Sequence, residues 1–216
     1  MERLRRIVGS SIGRKWLMSL SGLGLIGFLA VHLAGNLTIY GGGTLLNAYA
    51  ATLREVGPAL WVVEAGLGSV ALVHILFASI LVVENLRARA TRYTSKRSEG
   101  GRSWGSQTML VTGPYILVFV VAHLMHFTFS GSSRPIAELV AARFYLDAYS
   151  VGFYLISMAL LGLHLSHGAW SALQTLGVPT LRRGLWRRAA SVAALLVAVG
   201  FGSLPIAVYS INGLLR

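Results

Sequence analysis

The chain contains no cysteine. Disulfides, thiolate metal sites, iron–sulfur ligation and haem attached through a CxxCH motif are therefore excluded within it. Charge is also scarce: only 12% of residues are charged, and seven Asp and Glu stand against 19 Lys and Arg. No carboxylate lies in the middle of an apolar run, since Glu64 and Glu84 fall near the two ends of one run. Proton-driven pumps and transporters need a buried acid along their path, so this absence counts against that class. There is no tandem repeat and no low-complexity tract, and the first apolar run is too long for a cleavable signal peptide and lacks a small-residue cleavage site. What is abundant is apolar: 55% of residues are hydrophobic and the mean hydropathy is +0.66. That is the composition of a polytopic membrane protein. The formal charge of +12 is distributed between the apolar runs. Phospholipid head groups and membrane orientation account for it without nucleic acid.

The pattern predicts an all-α bundle of five transmembrane helices in a single membrane domain, at about 16–40, 59–83, 107–129, 149–176 and 189–211. The first run, Trp16–Tyr40, has no charge over 25 residues, enough to cross a hydrocarbon core. Residues 1–15 read as a basic surface helix and NAYAATLREVGP as an interfacial connection. Residues 85–106 read as a basic exposed loop, and IAELVAARFYLDAY as a short amphipathic helix at the interface. Pro58 suits a helix start, and Pro205 is expected to bend the last turns of the fifth span. Trp16, Trp61, Trp104, Trp170 and Trp186 fall near span boundaries, as interface anchors do. The N-terminal segment and the second and fourth connections carry five, six and four Lys or Arg, whereas the first and third connections and the C-terminus carry one, two and one. By the positive-inside rule the N-terminus is cytoplasmic and the C-terminus external.

All six histidines, His32, His74, His123, His126, His164 and His167, fall inside these spans. Imidazoles at membrane depth are costly without a partner. His32 and His123 each lie 16 residues beyond the inner end of their spans, roughly 24 Å across. His74 and His164 each lie 15 residues from the outer end of spans running the other way, about 22 Å down. Two levels result, separated by roughly 15 Å. A pair of histidines at one depth on different helices is the geometry of axial ligation of a haem, with no open position and hence suited to electron transfer. Gly22, Gly24, Gly27, Gly35, Gly162 and Gly168 could flank a flat macrocycle, although small residues are common at membrane helix interfaces.

His126 and His167 each follow a paired histidine by three residues. They read as satisfied polar residues that could bond a propionate, a backbone carbonyl or a quinone. Glu64 could serve quinone protonation or be an interfacial charge. Asn36 and Asn47 could bond a quinone carbonyl or end helices. Ser19 and Ser21 could hold an inner propionate. Arg182, Arg183, Arg187 and Arg188 could do the same, contact a soluble partner, or be solvated positive-inside charges.

Five stretches carry a family resemblance: GRKWLMSLSGLGLIGFLAVHLAGNL (13–37), LNAYAATLRE (46–55), VALVHILFASIL (70–81), VVAHLMHF (120–127) and HLSHGAWSAL (164–173). In these the chain resembles the cytochrome b558-type membrane subunit of succinate dehydrogenases and fumarate reductases, the five-helix, two-haem class. The resemblance implies two haem b groups, His32 with His123 at the distal haem and His74 with His164 at the proximal one. It also implies quinone chemistry near the distal haem, with menaquinone favoured. A flavoprotein subunit carrying FAD and an iron–sulfur subunit are implied as partners on the cytoplasmic side of a bacterial inner membrane. Catalysis on the dicarboxylate would then belong to those partners.

Overall fold

The computed structural model describes residues 9–87, 104–178, 183–211 and 214–215. Residues 1–8 of the expected surface helix, 88–103 of the expected basic loop, and Arg182 lie outside the described residues. Everything regular within them is helical. The elements are α1 (Ser11–Asn36), a 3₁₀ turn (Leu37–Gly41), α2 (Gly43–Glu55), α3 (Pro58–Arg87), α4 (Trp104–Phe127), α5 (Ile136–Phe144), α6 (Ala148–Thr175) and α7 (Arg183–Ser210). Five of these helices, α1, α3, α4, α6 and α7, are long and apolar enough to cross a membrane. In lipid the backbone has no water to bond, so helices that satisfy their own N–H and C=O groups are the form such runs must take.

Local chemistry sets the ends. Ser10 caps α1 by accepting from Gly13 N at 3.0 Å. The 3₁₀ turn stops at Gly42, whose φ of +90° is cheap only without a side chain. Asp147 caps α6: Ser150 N donates to Oδ1 at 3.0 Å and Ser150 Oγ to Oδ2 at 2.7 Å. Those bonds from Ser150 hold the Asp147 carboxyl below its ordinary range.

Packing is uneven. α6 and α7 form the closest pair, and a Cβ at Gly162 would stand 2.9 Å from Ala198 Cβ. Small residues at such a crossing let backbones approach and maximise van der Waals contact, the main attraction available in lipid. α1 packs along α3 and α6 and meets α7 where Leu33 lies on Gly200. α4 packs on α6. By contrast, α1 and α4 scarcely approach one another, nor do α3 and α6. At the end of the bundle where α7 finishes, the 3₁₀ turn, α2, α5 and residues 214–215 close over the long helices. Ile39, Leu46, Ala137, Val140, Phe144 and Val208 are buried there. At the opposite end Arg14 of α1 pairs with Glu84 of α3. Below, these are the C-end and the N-end.

One detail differs from the sequence reading. The stretch expected as an interfacial connection is mostly the 13-residue helix α2. Its Ala- and Leu-rich composition favours helix, and Leu46 gives it a buried anchor. Pro205 sits inside α7, which continues to Ser210. Pro114, not singled out from the sequence, lies likewise inside α4 and leaves the Leu110 carbonyl without its helical N–H partner.

Candidate cofactor site: two histidine pairs

At the N-end level, His74 of α3 lays its ring over Gly22 of α1. A Cβ at Gly22 would stand 3.1 Å from the ring's Cε1 and 3.3 Å from its Nδ1. The His74 Nδ1 donates to the Met18 carbonyl at 3.1 Å. A carbonyl can only accept, so the proton sits on Nδ1 and Nε2 carries the free lone pair. His164 of α6 faces His74 with ring centroids 6.5 Å apart and planes at 75°. Its Nδ1 lies 3.3 Å from the hydroxyl of Thr112 on α4, a side chain only 1% exposed. The neighbouring Gly113 would bring a Cβ within 3.9 Å of the His164 Cε1.

At the C-end level, His32 of α1 faces His123 of α4 with centroids 6.0 Å apart and planes at 84°. Aromatic rings hold both. Phe28 stacks on His32 at 5.2 Å and Phe201 tilts against it at 5.6 Å. Phe119, Phe127 and Tyr154 surround His123 at 5.8, 5.2 and 6.2 Å. Asn36 donates its amide to the His32 carbonyl at 2.8 Å and stands 3.4 Å from each ring nitrogen. The Nδ1 of His123 is buried with no hydrogen-bond partner among the described residues.

The two levels are separated as the helical rise requires. His74 lies against Gly22 and His32 is ten residues further along α1; Tyr154 lies against His123 and His164 is ten residues further along α6. Ten residues of helix rise about 15 Å. Both pairs are cross-helix contacts between helices that otherwise scarcely meet. Two metal–imidazole bonds of about 2.0 Å, with each ring centre roughly 1.1 Å behind its nitrogen, separate centroids by about 6.2 Å. The observed centroid separations, 6.0 and 6.5 Å, lie close to that value. Among the described residues no group of three or more His, Asp or Glu converges. Each level therefore brings together two histidines from different helices, and two facing imidazoles are the side chains that axial haem ligation requires.

The other sequence candidates fall elsewhere. His126 stacks on Tyr154 and joins its hydroxyl through Nδ1 at 3.0 Å, beside the C-end pair. His167 packs over Gly105 at the start of α4. Ser19 is buried on α1, and Ser21 donates to the carbonyls of Leu17 and Met18 within its own helix. Asn47 accepts from Ala137 N at 3.0 Å and so holds α5 onto α2. Glu64 is exposed on α3. The glycines divide by role: Gly22 meets a histidine, whereas Gly24 faces Val70, Gly35 faces Tyr49 and Gly162 faces Ala198. Gly27 and Gly168 have no neighbour within 4 Å. Thr112, Gly113 and Tyr154 were not anticipated; the only signal was a hydroxyl or glycine inside an apolar run. A surface cavity of about 340 Å³ between α2 and α3, lined by Arg54, Gly57, Pro58, Leu60 and Trp61, includes no residue of either pair.

Fold and site together define a multi-pass helical membrane protein with two histidine pairs stacked across its bundle. Comparison with known protein families, characterised proteins and solved structures yields no match.

Proposed function

We propose that this chain is a dihaem cytochrome b, the membrane anchor of a succinate:quinone oxidoreductase of the succinate dehydrogenase and fumarate reductase type. The observation that carries the haem reading is the spacing of the two pairs, 6.0 and 6.5 Å between ring centroids on opposed helices. His74 and His164 would hold the proximal haem, and His32 and His123 the distal one. When bound, the two haems supply one-electron transfer across the membrane. The chain's own residues present facing imidazoles, surround them with aliphatic and aromatic side chains, and keep the two levels about 15 Å apart. The assignment to this enzyme class rests on the sequence resemblance. It brings with it a flavoprotein subunit with FAD, an iron–sulfur subunit and (mena)quinone as reaction partner. The charge bias supports a cytoplasmic N-end, which makes the C-end external, and the resemblance brings a bacterial inner membrane. Of the polar candidates for quinone, Asn36 touches His32 and His126 bonds Tyr154 beside His123, whereas Glu64 and Asn47 make no contact with either pair.

A haem-to-protein ratio with a reduced-minus-oxidised spectrum, on membranes containing the intact complex and with succinate as reductant, tests this. Two b-type haems per chain, at least one reduced by succinate, are expected. Two haems reduced by dithionite alone would keep the cytochrome and leave the partner to co-purification, where another quinone-linked dehydrogenase would identify itself. A chain without haem ends the proposal and returns a haem-free transporter to consideration.

A further inference from the structure

We infer that Gly22 and Thr112 are positioning residues for the N-end histidine pair, allowing His74 and His164 to be held by Nδ1 and leaving Nε2 to the ligand. The inference rests on the haem reading above and names the residues that orient two of its four ligands.

The His74 ring reaches the Met18 carbonyl because residue 22 has no side chain. Met18 lies one helical turn before Gly22, and a Cβ there would press on the two ring atoms nearest that bond, at 3.1 and 3.3 Å. An alanine would shift the ring by a few tenths of an ångström and stretch a directional bond. His164 is treated the same way from another helix: Thr112, buried to 1% exposure, offers its hydroxyl oxygen to Nδ1 at 3.3 Å. A threonine hydroxyl in a helix can donate to a preceding backbone carbonyl while accepting from an imidazole. A His164 ring that gave Nε2 to a metal would carry its proton on Nδ1, and the Thr112 oxygen is within reach to accept it. Such outer partners fix ring orientation and raise ligand basicity. They come from α1 and α4, the helices that carry His32 and His123. Each of these helices thus holds its own histidine at one level and orients another helix's histidine at the other. Nothing equivalent serves the C-end pair, where His123 Nδ1 has no partner among the described residues and Asn36 brings an amide donor to His32.

The test is redox titration and electron paramagnetic resonance of the intact complex carrying Thr112→Val, Thr112→Ser or Gly22→Ala. A less basic ligand favours the ferric state less, so Thr112→Val is expected to raise the midpoint of one haem and move its resonance signal. The second haem is the internal control and stays unchanged. Thr112→Ser keeps the acceptor and restores the unaltered behaviour. Gly22→Ala shifts or empties the same haem, the one retained in a His123→Ala background. Should Thr112→Val not assemble, Gly22→Ala carries the same readout. Two haems that both ignore these substitutions, that both shift together, or that respond to Ser as to Val would overturn the inference while leaving the dihaem reading intact. No haem in the unaltered protein would overturn both.

Discussion

At the N-end of the bundle His74 and His164 stand among glycines and hydroxyls, and each Nδ1 has an oxygen partner on a neighbouring helix. At the C-end His32 and His123 stand among Phe28, Phe119, Phe127, Phe201 and Tyr154, and the Nδ1 of His123 has no partner among the described residues. The centroid separations are nearly equal, but the means differ. Hydrogen bonds to oxygen hold both rings of the first pair, and aromatic packing, with Asn36 beside His32, holds the second. The difference follows from the surroundings. The C-end is closed by α2, α5 and the 3₁₀ turn, which supply a buried cluster against which rings can lock. The N-end has no such cap among the described residues, so directional bonds do there what packing does at the other end.

Breaking one pair at a time is the strongest challenge to this comparison. On the proposed dihaem reading, His74→Ala and His123→Ala are each expected to lower the haem content from two per chain to one, with the surviving spectrum different in the two variants. Loss of both haems from either variant would show that the levels are not independent. A smaller effect, specific to the C-end, is expected at Tyr154, which is 6% exposed and touches Phe119, His123, His126, Phe127 and Phe144. Tyr154→Ala should cost about 3 kcal/mol of stability by leaving a cavity. Tyr154→Phe keeps the ring and removes only the bond to His126, for about 1 kcal/mol. Unfolding in detergent measures both, and equal losses would mean that the hydroxyl rather than the packing holds the cluster.

The smallest effect concerns the α6 cap. Because its bonds to Ser150 lower the Asp147 pKa, the stabilisation is complete above the ordinary Asp value of 3.8 and is lost as pH falls through the lower folded value. The stability difference between the unaltered protein and Asp147→Ala should therefore persist at neutral pH and shrink on strong acidification. A difference independent of pH down to full protonation would refute the capping role.

The number of spans, their approximate limits and the pairing of His32 with His123 and His74 with His164 were legible in the sequence. A helix rises by a constant amount per residue, so position along a span converts directly into depth. The short helix α5 was legible for a related reason: IAELVAARF carries its own amphipathic pattern. The helical character of Gly43–Glu55 was not, because it depends on Leu46 finding a buried seat and on Asn47 bonding Ala137, 90 residues away. What each glycine meets was not legible for the same cause. Six of them looked alike in sequence, yet Gly22 meets a histidine, Gly162 a neighbouring helix, and Gly27 nothing within 4 Å. Depth is a property of one helix and is written in its sequence. The direction in which a residue faces, and what meets it there, is set by how five helices rotate and pack against one another. Only the tertiary structure decided that Thr112 and Met18 partner one histidine pair while a wall of aromatic rings holds the other.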